Sequence, residues 1–349
     1  MNISSVASAF PKHKYSQDTL TAAFRAYWGP EIAASVPLEQ IHSRVGVNAR
    51  HLAYPIETYA KLKTFGEANS LWISAALDLG QKAICQALMR AEIPISDLAA
   101  IFFVSISGLA CPSIEARLIN RMGLSPNIKR IPIFGLGCVG GAAGIARAAD
   151  FVKAYPDQVA VVLSVELCSL TIQRDDLSMA NLISSGLFGD GAAAVLVSGA
   201  KRDSEGPEIL ATKSIFYPNS EHVMGWDISE KGFGIVLSRD VPRVVNQFLA
   251  RDVGAFLDEE GLTCGDIGSW VIHTGGPKVL EATAEALGLA DSALEVSWRC
   301  LSETGNLSSA SVLCVLEQFM MKERPRPGSY GLLAAMGPGF CSELVLLKW

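Results

Sequence analysis

The chain has 349 residues, 50% of them hydrophobic and only 18% charged, with a net charge of −6, against about 25% charged residues in an ordinary globular domain. This composition excludes disorder. The acidic balance, with no Lys/Arg stripe interleaved with aromatics, argues against a nucleic-acid partner. The longest uncharged stretches, residues 98–114 and 131–146, are shorter than the roughly 18 to 20 apolar residues of a spanning helix. The apolar excess is therefore expected in a soluble chain with a large buried fraction and not embedded in a membrane.

In chain order, residues 1–10 lack the basic and apolar segments of an export signal. Eight cysteines without export predict reduced thiols and a cytoplasmic location. No C-x2–4-C or H-x3–5-H spacing occurs, so no zinc site is expected. Apolar β-branched runs then alternate with longer amphipathic segments, the pattern of an α/β fold. Residues 100–105, 130–134, 159–165 and 192–197 read as strands buried on both faces. The polar stretch 199–208 is the best candidate for a junction, giving two units, 1–205 and 206–349. Beyond it come a strand at 209–216, a helix at 241–259, a strand at 269–273, a helix starting near Asn306, and strands at 330–335 and 342–348.

The two units echo each other. Strand 130–134 runs into the glycine turn 135–141, and strand 269–273 into Gly275 and Gly276. Each unit also ends on a glycine loop feeding a strand, at 188–191 and at 337–339. This pattern suggests an internal duplication, and in α/β sheets chemistry gathers at strand-to-helix turns.

The turn around Cys138 admits three readings. Gly135, Gly137, Gly140 and Gly144 satisfy a dinucleotide fingerprint, and Glu166 ends the next strand where a ribose-binding acid would sit. Against this nicotinamide reading, the fingerprint usually opens a nucleotide-binding domain, and here it lies about 130 residues into the chain. Alternatively Cys138 is a nucleophile on a strand-to-helix elbow, where the helix N-terminus favours thiolate. The third reading is a small buried hydrophobe, the usual fate of a free cysteine. The other cysteines are assigned to packing, with Cys85 and Cys314 on amphipathic helices.

A reactive thiol needs a base, most often histidine. His13, His42, His51 and His222 lie in polar contexts that read as exposed, whereas His273 closes the apolar strand before Thr274-Gly-Gly-Pro277. Asn306 reads on its own as the N-cap of the following helix. Together, Cys138, His273 and Asn306 form a complementary set on glycine-marked turns.

At these residues the chain resembles the type III polyketide synthases, the chalcone synthase-like enzymes of the thiolase superfamily. The motifs are Gly137-Cys-Val-Gly-Gly141, Leu187-Phe-Gly-Asp-Gly-Ala192, His273-Thr-Gly-Gly-Pro277, Gly305-Asn-Leu-Ser-Ser309 and Gly337-Pro-Gly339. Within the family, Ile41-His-Ser-Arg44, Glu166-Leu-Cys-Ser-Leu-Thr171 and Val223-Met-Gly-Trp-Asp227 look most like bacterial long-chain alkylpyrone and alkylresorcinol synthases. The resemblance implies a thiolase-like α/β fold, two pseudo-duplicated halves in αβαβα layers, and a homodimer. It also implies a Cys138–His273–Asn306 triad, with Cys138 acylated from a CoA thioester and His273 with Asn306 stabilising the enolate of malonyl-CoA. CoA thioesters are the substrates, and no cofactor is implied. Phe188 and Ile235 match gate positions. Trp226, Cys168, Thr171, Ser107 and Ser308 match the cavity, and Cys111 matches the residue that crosses into the partner's cavity. Gly337, Pro338 and Gly339 match a cyclisation loop, while Arg44 and Lys278 match CoA-binding positions. The remaining alternatives are a ketoacyl-ACP synthase III-like enzyme, which typically carries His-Gln-Ala-Asn where this chain has His273-Thr-Gly-Gly, and an inactive acyl-binding homologue.

Overall fold

The computed structural model describes residues 1–29 and 36–349. The first half contains β1 (Asn2–Ala9), a short antiparallel pair of β2 (His13–Ser16) and β3 (Ala49–Leu52), then β4 (Leu98–Val104), β5 (Lys129–Ile133), β6 (Val159–Leu167) and β7 (Asp190–Ser198). The second half contains β8 (Glu208–Phe216), a hairpin of β9 (Met224–Ser229) and β10 (Gly232–Leu237), then β11 (Ile267–Ile272), β12 (Tyr330–Gly337) and β13 (Cys341–Lys348). Nine of these strands form a mixed sheet in the order β11-β12-β13-β8-β1-β7-β6-β4-β5.

That order contains one wiring used twice. β1 lies antiparallel to β7, β7 antiparallel to β6, and β6 parallel to β4. In the same sense β8 lies antiparallel to β13, β13 antiparallel to β12, and β12 parallel to β11. The copies meet edge to edge where Asn2 pairs with Glu208, flanked by hydrogen bonds from Ile3 N to Pro207 O and from Ile209 N to Met1 O, each 2.9 Å.

Five helices complete the layers: α1 (Phe65–Ala91), α2 (Gly140–Ala154), α3 (Val241–Glu259), α4 (Pro277–Leu287) and α5 (Ser311–Met321). α2 packs on β4, β6 and β7 of one half and on β8, β12 and β13 of the other, and α5 likewise reaches β1 and β7 as well as β11 and β12. α1 covers the outer face of the first half, on β1, β6 and β7. Val245, Leu249 and Phe256 of α3 with Leu280 of α4 cover Trp270, Ile272, Leu332 and Leu344 of the second. The result is the αβαβα arrangement, and every residue of β6 and β7 is buried, as a strand covered on both faces requires.

Of α1 the sequence marked only the amphipathic stretch around Cys85, not its start or length, and the β9–β10 hairpin has no counterpart among the expected elements. The buried face of α1 includes Ala75, Ala76, Gly80, Ala83 and Ala87, small residues that mute the apolar period; its start is fixed instead by a Thr64–Glu67 capping box. Glycines at 225, 232 and 234 interrupt the alternation in the hairpin. No described helix is long and apolar enough to cross a membrane.

α2 is glycine-rich because it is squeezed from both sides. A Cβ on Gly140 would lie 2.6 Å from Val104 Cγ1, one on Gly144 2.6 Å from Val162 Cγ1, and one on Gly141 would collide with the Ser309 carbonyl. Packing thus outweighs the roughly 1 kcal/mol per glycine lost in propensity. Replacing Gly141 with Ala should cost about 3 kcal/mol in urea unfolding, because a backbone carbonyl cannot move aside. Gly254→Ala in α3, where nothing lies within 4 Å, should raise stability by about 1 kcal/mol.

Candidate active site

β5 ends in a turn in which Gly135 and Gly137 take φ values of +90° and +52°, left-handed backbone open to glycine. This turn delivers Cys138 into a short 3-10 segment, Gly137–Val139, at the N-terminus of α2. The side chain is buried. Its Sγ lies 3.7 Å from Ser308 Oγ, which arrives from the other half of the molecule. Ser308 holds φ at +49°, a conformation rare for a residue with a side chain, and its N–H donates to Asn306 Oδ1 at 2.8 Å.

His273 follows β11 and extends its pairing with β12 through a 3.1 Å hydrogen bond from its backbone N to Ala334 O. Its buried Nδ1 has no hydrogen-bond partner, so among the described residues no carboxylate orients the ring through that nitrogen. Asn306 is held by its backbone, its N–H donating to Leu187 O at 2.9 Å and its carbonyl accepting from Gly189 N at 3.0 Å. Its Oδ1 also accepts from Ser311 Oγ at 3.3 Å. The N-cap expectation is corrected here: Asn306 precedes a 3-10 segment, Ser308–Ala310, and α5 begins only at Ser311.

Cys138, His273 and Asn306 line one cavity, whose other walls include Leu187, Val245, Leu249, Ile272 and Met336. Burial acts on both titrating groups by disfavouring charge. The Cys138 thiol is pushed up to about 12, with a further upward push from the Glu166 carboxylate, while hydrogen bonds from Ser308 and Asn306 oppose the shift. The His273 imidazole is pushed down to about 4. Burial thus favours the neutral thiol and imidazole and opposes the thiolate that the helix N-terminus favours.

Glu166 is fully buried, and burial raises its carboxyl. It accepts from Ser107 Oγ at 2.7 Å, Ile106 N at 3.2 Å, Ser105 Oγ at 3.3 Å and Ser309 Oγ. These partners occupy both oxygens, which leaves no place for a ribose. The glycine turn is equally closed, since a Cβ on Gly137 would lie 2.7 Å from Pro338 Cδ. The dinucleotide reading fails because Gly137, Gly140 and Gly144 are filled by Pro338, Val104 and Val162, and only Gly135 faces open space.

Residues 40–201 match the description "Chalcone and stilbene synthases, N-terminal domain", and residues 208–349 the C-terminal domain of the same synthases. The chain belongs to the chalcone and stilbene synthase family. A 1,3,6,8-tetrahydroxynaphthalene synthase of Streptomyces peucetius subsp. caesius is 48% identical, covering 100% of this chain and 93% of the relative. A phloroglucinol synthase of Pseudomonas fluorescens is 32% identical, covering 97% of each. The crystal structure of the tetrahydroxynaphthalene synthase of Streptomyces coelicolor A3(2), described as a bacterial type III polyketide synthase, superposes with a TM-score of 0.94 at 32% identity, over 100% of this chain and 99% of that one. The chain is thus a type III polyketide synthase of the acyltransferase class.

In this synthase, Cys168, Thr171, Trp226 and Ile235 line a second, small cavity, and Phe188 lines both it and the triad cavity. Thr171 and Phe233 are shared in turn with an open cavity of about 780 Å³. Ser308 sits beside the thiol, whereas Ser107 faces Glu166, Trp72 and the Leu167 N–H and is not on a cavity wall. Cys111 is exposed, and Arg44 and Lys278 are exposed outside all three cavities. Gly337, Pro338 and Gly339 abut the nucleophile turn: a Cβ on Gly337 would lie 2.7 Å from Val139 N.

Two expectations about exposure are overturned. His42 is buried, bonded through Nδ1 to Thr21 Oγ1 at 2.9 Å and through Nε2 to Ser185 Oγ at 3.1 Å, because its flanking polar residues face solvent while the ring turns inward over Gly186. Cys85 is exposed, on the solvent side of α1. Sequence reasoning missed Arg50 and misread Glu166; for Glu166 the available signal was a carboxylate ending an otherwise apolar strand.

Because the thiol is raised, iodoacetamide should alkylate Cys138 faster as pH rises, by about tenfold per unit between roughly pH 7 and 10. A rate already level at pH 6 would instead reveal a preformed thiolate.

Proposed function

We propose that this synthase loads a long-chain acyl group from acyl-CoA onto Cys138, extends it iteratively with malonyl-CoA and releases an alkylpyrone. The observation that carries the reading is the apolar, triad-lined cavity, which meets at Phe188 a cleft of about 20 Å³ that shares Thr171 and Phe233 with the open cavity of about 780 Å³. As Cys138 attacks the starter thioester, His273 takes the thiol proton and passes it to the departing CoA sulfur. Malonyl-CoA then loses CO2, and donors on His273 and Asn306 stabilise the charge growing on its thioester oxygen. The enolate carbon attacks the Cys138 thioester, forming the new C–C bond and freeing the thiolate. After further rounds an enol oxygen closes on the terminal thioester carbonyl and expels CoA.

No metal or organic cofactor takes part in this scheme, and CoA thioesters are the only small-molecule partners. Arg44 and Lys278, both exposed, are assigned to the phosphates of CoA, and Gly337, Pro338 and Gly339 to shaping cyclisation. A cytoplasmic homodimer of chains divided at 1–205 and 206–349 is part of the same reading. Exposed Leu109, Cys111 and Phe134, on the loops after the neighbouring strands β4 and β5, support a second copy on that face.

A second reading is favoured by the names of the relatives. Malonyl-CoA alone would serve as starter and extender, with aldol closure to a polyhydroxylated aromatic, as the names tetrahydroxynaphthalene synthase and phloroglucinol synthase describe for those proteins. Purified protein given malonyl-CoA with acyl-CoAs of graded length decides between the two. Alkylpyrones identified by mass spectrometry support the first, and an aromatic product from malonyl-CoA alone, undiminished by acyl-CoA, rules it out.

Cys138→Ala should abolish product in that assay. His273→Ala should lower malonyl-CoA decarboxylation by about 10²-fold or more, read as CO2 release without starter. Trp226→Gly opens the second chamber and should shift the preferred starter towards longer chains, measured as the ratio of kcat/KM values across the acyl-CoA series.

A further inference from the structure

We propose that Arg50 is a positioning residue that locks the partition residue Phe188 and the catalytic amide Asn306 into one rigid unit. The proposal rests on the roles given to Phe188 and Asn306 in the proposed function. Arg50 lies on β3, 1% exposed, and touches both segments at once. Its Nη1 donates to the Phe188 carbonyl at 2.5 Å. Its stem lies on the backbone just before Asn306, since a Cβ on Gly305 would sit 3.0 Å from Arg50 Cδ and 3.1 Å from Cγ.

The two segments are themselves in backbone contact. Phe188 and Asn306 form an isolated parallel bridge, a Cβ on Gly305 would approach Leu187 O to 2.7 Å, and one on Gly189 would collide with the Thr304 carbonyl. β3 is tied to the same region, Asn48 donating through its N–H to Ser302 O and through Nδ2 to Ser302 Oγ, each at 2.8 Å. Arg50 is therefore a strut under the partition and the amide together.

The cost of the side chain argues that it does more than fill space. Nε and Nη2 are buried without hydrogen-bond partners, and unpaired buried donors are destabilising. Burial lowers the guanidinium to about 10, opposed chiefly by the Asp190 carboxylate, so the charge persists at neutral pH. An apolar residue of similar length would satisfy packing at least as well. What it could not supply is the directed bond to the Phe188 carbonyl and a charge facing the buried Asp190 carboxylate.

The test compares Arg50→Met and Arg50→Lys with the wild-type chain, normalising every rate to the amount of iodoacetamide-reactive Cys138. Arg50→Met should lower kcat for malonyl-CoA decarboxylation by about 10²-fold, the scale of a misplaced catalytic group, while KM for malonyl-CoA moves less than about threefold. Its products should also spread over more chain lengths, as the partition loosens. Arg50→Lys, which keeps a charged donor, should recover about tenfold of the loss. A residue that only stabilised the fold would change the yield of reactive Cys138 and leave the rate per site and the product distribution alone, and that result overturns the proposal. Should Arg50→Met fail to fold, Arg50→Lys decides: a wild-type rate per site with wild-type products overturns it, and a reduced rate with altered products supports it. Wild-type protein unable to decarboxylate malonyl-CoA overturns the underlying functional reading, and this proposal with it.

Discussion

The active site depends on how closely two loops of the second half approach the turn that carries Cys138. Pro338 lies against Gly137, and the Ser309 carbonyl lies where a side chain on Gly141 would be. With any larger residue at these positions the halves would separate, and Ser308 and Asn306 would withdraw from the thiol. The glycines are thus a steric condition for a triad assembled from both units. The same condition explains why α2 can lie between the two halves of the nine-stranded sheet despite its weak helix propensity.

Desolvation follows directly from that closeness, and it sets the chemistry. A thiol, an imidazole and a carboxyl are enclosed together, and each shifts towards its neutral form. In such an interior a fixed N–H donor acts on a developing oxyanion far more strongly than in water. Neutral groups facing preorganised donors suit a reaction in which the charge of the malonyl carboxylate moves onto the thioester oxygen as CO2 leaves. Phe188 extends this logic to space, since one aromatic ring borders both the triad cavity and the second chamber.

Much of this was legible in the chain because it is local. Strands 159–165 and 192–197 were marked by unbroken β-branched and alanine runs, and both are fully buried in β6 and β7. Cys138, His273 and Asn306 stood out because each sits on a turn that glycine marks. The extent of α1, of which only the stretch around Cys85 was marked, and the β9–β10 hairpin were not legible, because small buried residues and interrupting glycines erase the period on which such reading relies. Glu166 was visible but misread. A carboxylate at a strand end looks the same whether it awaits a ribose or accepts four protein hydrogen bonds, and its partners Ser105, Ser107 and Ser309 come from two distant segments.

The sequence by itself determined the α/β pattern and the duplicated plan, which follow from residue type and spacing along one segment, and it marked Cys138, His273 and Asn306 as candidates on glycine turns, which the family resemblance joined into a triad. Tertiary structure alone decided which glycines are filled by protein, that His42 and Arg50 turn inward, and that Phe188 and Asn306 share a backbone bridge. Those facts arise from contacts between separate segments, such as Arg50 to Phe188, 138 positions apart. Local pattern carries no information about which distant carbonyl a buried side chain will reach.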